Sequence, residues 1–445
     1  MKALAAALAL LAACAHPLAA ADTGALAERT RQTLLYGIDS QVLDAIQSLK
    51  AARDTGFTKD LNEILSGSER SAAVRKAVLG LFLDQKVKEG EGAARQILSG
   101  WQDAPPDLLV AAVQYLAFTG GAGLSDALSP LIDATDASVA SAAIEALGKT
   151  GSAATVTLLV SKLKSTDFPD ARKAAVILAL GDLKDSQAAD ALMAIAKSQD
   201  EDKVRRMYAA DALGKIGDPR ALPVLKAMYD EQDALIRLYA ASALARFGLD
   251  SVFPILIQAL RDESWKVREQ SARSLAHSLS SGQASTAVPI LMYKAENDPV
   301  SQVRVASIQA LGEIGGDAPM KALVAIYAGS DHPLESREAA LTIVAQKSLS
   351  SALDAVRSVI NDEWKSYDQR VLESTAKVLS TVSSAELRDI FVHFLESADP
   401  AVRSYGCRGI AQNHFSDQRD RLRLMSEKDP NPGTRKEAEL SLEKL

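Results

Sequence analysis

The chain has 445 residues, room for about three conventional domains of ~150 residues or for one long repeat array. Apolar residues make up 47% and charged residues 24%, with mean hydropathy near zero, which excludes a disordered or collagen-like chain; aromatics at only 5% beside abundant alanine favour close-packed helices over sheets. A net charge of -7 and a pI near 5.5 exclude broad phosphate-backbone binding, which needs many lysines and arginines, so nucleic acid is not the expected partner.

Lys2 is followed by the apolar run Ala3 to Ala13, the length of a secretory core and too short for the ~20 residues that span a bilayer. Residues 1–21 are therefore expected to be a signal peptide and the protein to be exported, to the bacterial periplasm or the outer membrane. Two processing routes fit. Leu11-Ala12-Ala13-Cys14 resembles the lipobox of bacterial lipoproteins at all four positions; that resemblance implies diacylation of Cys14 and a lipid anchor. Ala19-Ala20-Ala21 equally supplies small residues for ordinary cleavage before Asp22. Residues 22–36 are expected to be a linker or helix. The second cysteine, Cys407, stands where other repeats carry alanine, and so reads as a buried small hydrophobe rather than a nucleophile.

From residue 37 to the C-terminus the chain repeats itself. Arg206 to Gly214 (RMYAADALG), Arg237 to Ala245 (RLYAASALA) and Arg304 to Gly312 (RVASIQALG) carry one motif, and the small residue closing it recurs at spacings of 31 to 36 residues from Gly148 onward. Weaker matches upstream bring the array to about 12–13 units over 37–445. Each unit reads as two helices. The first carries the alanine stripe and the second carries apolar residues at helical spacing, such as Leu222, Leu225 and Met228. Small residues let neighbouring helices approach closely, so hairpins can stack, and no unit could bury its apolar face alone. The second helices are expected to line the concave face. Leu279 to Thr286, polar and rich in serine, is expected to lengthen one intra-repeat turn.

The pattern resembles the HEAT repeat, most closely the short variant of the phycobilin-lyase-like HEAT family, and so implies an all-α solenoid. Asp200 and Arg206, Asp262 and Arg268, Asp298 and Arg304, Asp331 and Arg337, and Asp429 and Arg435 all lie six residues apart. The resemblance implies that these residues, with Arg237 and Arg403, form a structural ladder from repeat to repeat. The pattern breaks at Ala140, where the arginine is missing, and near Leu372, where Arg370 is displaced.

The same group includes bilin lyases and a di-iron hydroxylase built on His-Glu pairs. None of the five histidines, His16, His277, His332, His393 and His414, is followed by glutamate or spaced as a metal ligand, and no phosphate loop or nucleophile elbow is present. No catalytic residue, cofactor or metal is therefore expected. What remains is surface: a non-enzymatic scaffold that binds other proteins, with a lyase-like enzyme on the concave face as the rival reading. The aromatic candidates for partner contact are Trp265 and Trp364, which with Trp101 fall in inter-repeat turns, and Tyr229, Tyr293 and Tyr327 on second helices; hydrophobic stapling for the tryptophans and interior packing for the tyrosines are the competing roles.

Overall fold

A computed structural model describes residues 25–276, 279–366 and 369–445, and among them there is no strand. Cys14 and both processing sites lie outside these residues. A helical segment, 25–36, precedes the first repeat. The repeat motif then forms one helix per unit, from Asp39–Ala52 through Lys203–Ile216 to Pro432–Lys444, and a second helix follows each of these motif helices except the last. The chain packs as two compact units, one ending at Val224 and the other running Leu225–Leu445.

Why these segments are helical is visible at their ends. Asp136, Asp202, Asp233 and Asp399 each cap a motif helix by accepting from a backbone N–H two residues on. Gly217 closes Lys203–Ile216 with φ 72°, the left-handed conformation that costs glycine nothing.

Within each unit the motif helices pack on one another. Asp170–Leu183 lies against both Ala137–Thr150 and Lys203–Ile216 in the first, and Ser301–Ile314 lies against Leu334–Lys347 in the second, while successive second helices touch far less. The cause is the missing side chain. A Cβ on Gly148 would stand 2.8 Å from the Cα of Ala179, and one on Gly181 would stand 2.8 Å from the Cα of Ala212. The motif helices therefore form the close-packed layer of each unit.

The structure corrects the reading of Leu279 to Thr286. Most of it is helical: the second helix runs Ser281–Asn297, 17 residues, opened by a capping box between Ser280 and Gln283. The extra residues lengthen a helix rather than a turn, because a serine followed three residues later by glutamine satisfies the first orphan N–H groups.

Packing and propensity make opposite predictions for two glycines. Gly181→Ala adds a better helix former by about 1 kcal/mol, yet forces two helices apart at an expected cost of about 1–3 kcal/mol, so its denaturation midpoint should fall. Gly282→Ala, with nothing within 4 Å of the new Cβ, should hold or raise it. Urea melts followed by circular dichroism check both.

Candidate functional site

The edge of the second unit where each second helix turns into the next motif helix is built around arginines. Arg237 donates from Nε and Nη2 to the Asp262 carboxylate, both at 2.8 Å, while Nη1 donates to the Glu231 and Gln232 carbonyls at 3.0 and 2.6 Å. Arg268 grips Asp298 the same way at 2.8 and 2.9 Å, and Arg403 grips Asp429 at 2.8 and 2.8 Å. The fork geometry of guanidinium on carboxylate suits this bidentate link, which spans 25 to 30 residues of sequence. Each carboxylate also accepts the N–H two residues on, from Ser264, Val300 and Asn431, so one aspartate shapes its own turn and holds the preceding repeat.

Other predicted ladder residues are placed differently. Arg304 donates to the Asp298 carbonyl at 2.7 Å and to Ser336 Oγ at 3.3 Å, and Asp331 is exposed rather than its partner. Arg337 donates to the Tyr327 carbonyl at 2.9 Å and stands 3.5 Å from Glu363. Arg206 donates to the Ala196 carbonyl and to Gln199, and Asp200 is exposed. Arg435, in the terminal helix, donates to the Asp429 and Pro430 carbonyls. The spacing of six residues alone does not define a rung, because an arginine can instead satisfy a carbonyl in the last turn of the preceding helix. Arg75 does so on Leu65, ten residues back, as Arg206 and Arg337 do. Sequence reasoning also missed Arg172, which donates to the Ile132 and Ala134 carbonyls at 2.9 and 2.7 Å and so serves the turn that Ala140 leaves without a guanidinium.

Two polar grooves open on this edge. One, of about 610 Å³, has Tyr229, Asp230, Glu231, Arg237, Asp262 and Glu263 among its lining residues. The other, of about 530 Å³, has Glu296, Asp298, Arg304, Asp331 and His332 among its own. The first holds the Arg237–Asp262 pair, in the second Arg304 donates to the Asp298 carbonyl while the Asp298 carboxylate is held by Arg268 and Lys294, and among the described residues no group of three His, Cys, Asp or Glu could hold a metal.

The aromatic candidates separate by exposure. Tyr293 is 62% exposed one turn before the second groove, and Trp265 is half-buried at the first residue of Trp265–Ser274. Trp364 is half-buried and stacks on His393, ring centroids 3.7 Å apart, with Glu396 beyond it on Arg421 at 3.0 Å. Tyr229 and Tyr327 are corrections, because both are buried and cannot meet a partner. Burial pushes each hydroxyl up to about 12, and Tyr327 bonds Thr375 at 3.1 Å. Helical spacing alone could not tell them from Tyr293. Cys407 is buried, and desolvation pushes its thiol up to about 12.

The motif-helix layer carries a second set of polar contacts. In the first unit Lys215 joins Asp182 at 2.8 Å and Asp211 at 3.2 Å. In the second, Lys377 joins Glu338 at 2.9 Å, and Arg408 joins Glu437 at 2.9 Å while lying 5.4 Å from the Tyr405 ring. Tyr405, Tyr239 and Tyr208 all stand two residues after the motif arginine and are half-buried on this layer, a signal that was present in the repeat alignment and passed over.

Residues 34–440 match the family described as spirochaete HEAT repeat protein. The chain belongs to that family. No curated protein matches it. Among solved structures it is similar to Kap95 in a complex with Nup1 (TM-score 0.56, 14% identity, 93% of this chain and 64% of that one) and to importin beta (0.51, 14%, 93% and 66%). It is also similar to Kap95p bound to RanGDP (0.51, 13%, 94% and 60%). It spans less than two thirds of the length of each of these chains. At such identities the likeness shows the fold alone: an all-α solenoid.

Asp298 is the strongest test of the edge. Burial alone would raise its carboxyl, but the bonds from Arg268, from the Val300 N–H and from Lys294 hold it below the ordinary carboxylate range. Asp298→Asn should cost about 3–5 kcal/mol at neutral pH by stranding buried Arg268, against less than about 0.5 kcal/mol for exposed Asp331→Asn. A carboxyl with a lowered folded pKa stabilises above its unfolded value and loses that stabilisation as pH falls through the folded one. The parent chain should therefore weaken below about pH 4, with a shallower acid limb in Asp298→Asn, read by urea titration at several pH values.

Proposed function

We propose that this HEAT-repeat chain is an exported, non-enzymatic scaffold that binds other proteins of the bacterial envelope along the turn edge of its second unit, and that acylation of Cys14 tethers it to the membrane. The single observation behind the binding surface is the composition of that edge. Two polar grooves open there, Trp265 stands two residues after Glu263 of one and Tyr293 three before Glu296 of the other, and Trp364 stacks on His393 further along the same unit, a set suited to recognising a surface, while among the described residues no group of three His, Cys, Asp or Glu could hold a metal. Exposed carboxylates at Asp230, Glu263, Glu296 and Asp331 favour a partner with cationic side chains. The solved solenoids it resembles include Kap95 in a complex with Nup1, a protein-binding use of the same fold.

Affinity capture from native envelope extracts, with the exported chain as bait beside a Trp265→Ala, Tyr293→Ala, Trp364→Ala bait, tests this reading. A stoichiometric protein partner lost at least tenfold from the triple variant is the expected result. Equal recovery by both baits, or no partner at all, would remove the edge as the binding surface.

A further inference from the structure

The first described turn of the chain is an apolar corner held out into solvent. Tyr36 is 84% exposed, Ile38 68% and Leu35 41%, three large apolar side chains in four residues. Single exposed apolar residues are ordinary, but a cluster of this kind marks a contact site. The corner is rigid by construction. Arg70, whose side chain is only 19% exposed, reaches back to donate to the carbonyls of Gly37 at 2.7 Å, Leu34 at 3.0 Å and Leu35 at 2.9 Å, and pairs with Asp39 at 3.4 Å. One half-buried guanidinium thus satisfies the end of helical segment 25–36 and fixes the three apolar residues in place, so presenting them costs no further ordering.

What covers the corner follows from where it sits in the chain. Cys14 is eleven residues before Ala25, a reach of at most about 40 Å, and segment 25–36 adds about 17 Å. An acyl chain on Cys14 would therefore hold the corner within reach of the membrane. Of the nearby cations Arg70 is engaged by Asp39 and Arg31 by Asp60 at 3.3 Å, while exposed Arg29 stands seven residues before Tyr36, so the corner itself presents apolar and phenolic surface. A tyrosine beside aliphatic side chains is the composition that settles at the headgroup level of a bilayer.

We infer that Leu35, Tyr36 and Ile38 form a membrane-contact point that seats the first repeat on a zwitterionic bilayer surface. The inference rests on the tethered reading of Cys14, and two measurements separate the two. Intact-mass analysis of the exported chain reads acylation of Cys14 by itself. Flotation of the exported Cys14→Ser chain with phosphatidylcholine vesicles, beside the same chain carrying Tyr36→Asp and Ile38→Asp, reads the corner, with circular dichroism confirming equal helix content. The corner predicts partial flotation of the Cys14→Ser chain and an at least fivefold lower bound fraction in the aspartate variant. No acyl mass with that difference retained removes the anchor and keeps the corner. Equal flotation of both chains, or none by either, overturns the corner; a dimer in light scattering that the aspartates dissociate, without flotation, assigns the surface to a second copy instead.

Discussion

The structure depends on how closely one motif helix can approach the next. Gly148 and Gly181 leave no room for even a methyl group against Ala179 and Ala212, so backbone meets backbone and dispersion contacts are made along the whole helix rather than at the tips of long side chains. The period of the small residues is therefore the period of the stack. Because the motif helices carry the stripe, it is their layer that closes up.

Close stacking creates a problem at every turn, where carbonyls at the end of one helix lack partners. Arginine solves it in two ways. With an aspartate at the right place in the next turn, as at Arg237, Arg268 and Arg403, the guanidinium forks onto that carboxylate and keeps its third nitrogen for its own turn. At Arg75 and Arg337 it donates instead to a carbonyl in the last turn of the preceding second helix. Both arrangements tie one repeat to the next, the first through a carboxylate and the second through the backbone. Hence the motif arginine recurs even where its aspartate has no ion pair with it.

Function is left to what stacking does not consume. The grooves of the second unit lie at the turns between second and motif helices, with Trp265 at the start of one motif helix and Tyr293 in the last turns of one second helix nearby. At the other end of the chain Arg70 spends both terminal nitrogens on the carbonyls of one apolar corner.

The class of fold, the number of motif helices and their ends were legible in the sequence because each rests on local chemistry that recurs: alanine and glycine at fixed spacing, aspartate before the first turn. The capping box at Ser280 and Gln283 was equally local and was overlooked in favour of composition. Other features were not local. Whether Tyr327 or Tyr293 meets solvent depends on which flank of a second helix the neighbouring repeat covers, and both flanks carry the same spacing. Whether Arg304 finds Asp331 or Ser336 depends on how two turns are placed across a repeat boundary, at distances where an ångström separates an ion pair from none. The sequence by itself determined that the chain would stack, since small residues at a constant period permit nothing else; the tertiary structure decided which carboxylates are engaged and which aromatics remain outside, because those are set by the relation of each repeat to its neighbour.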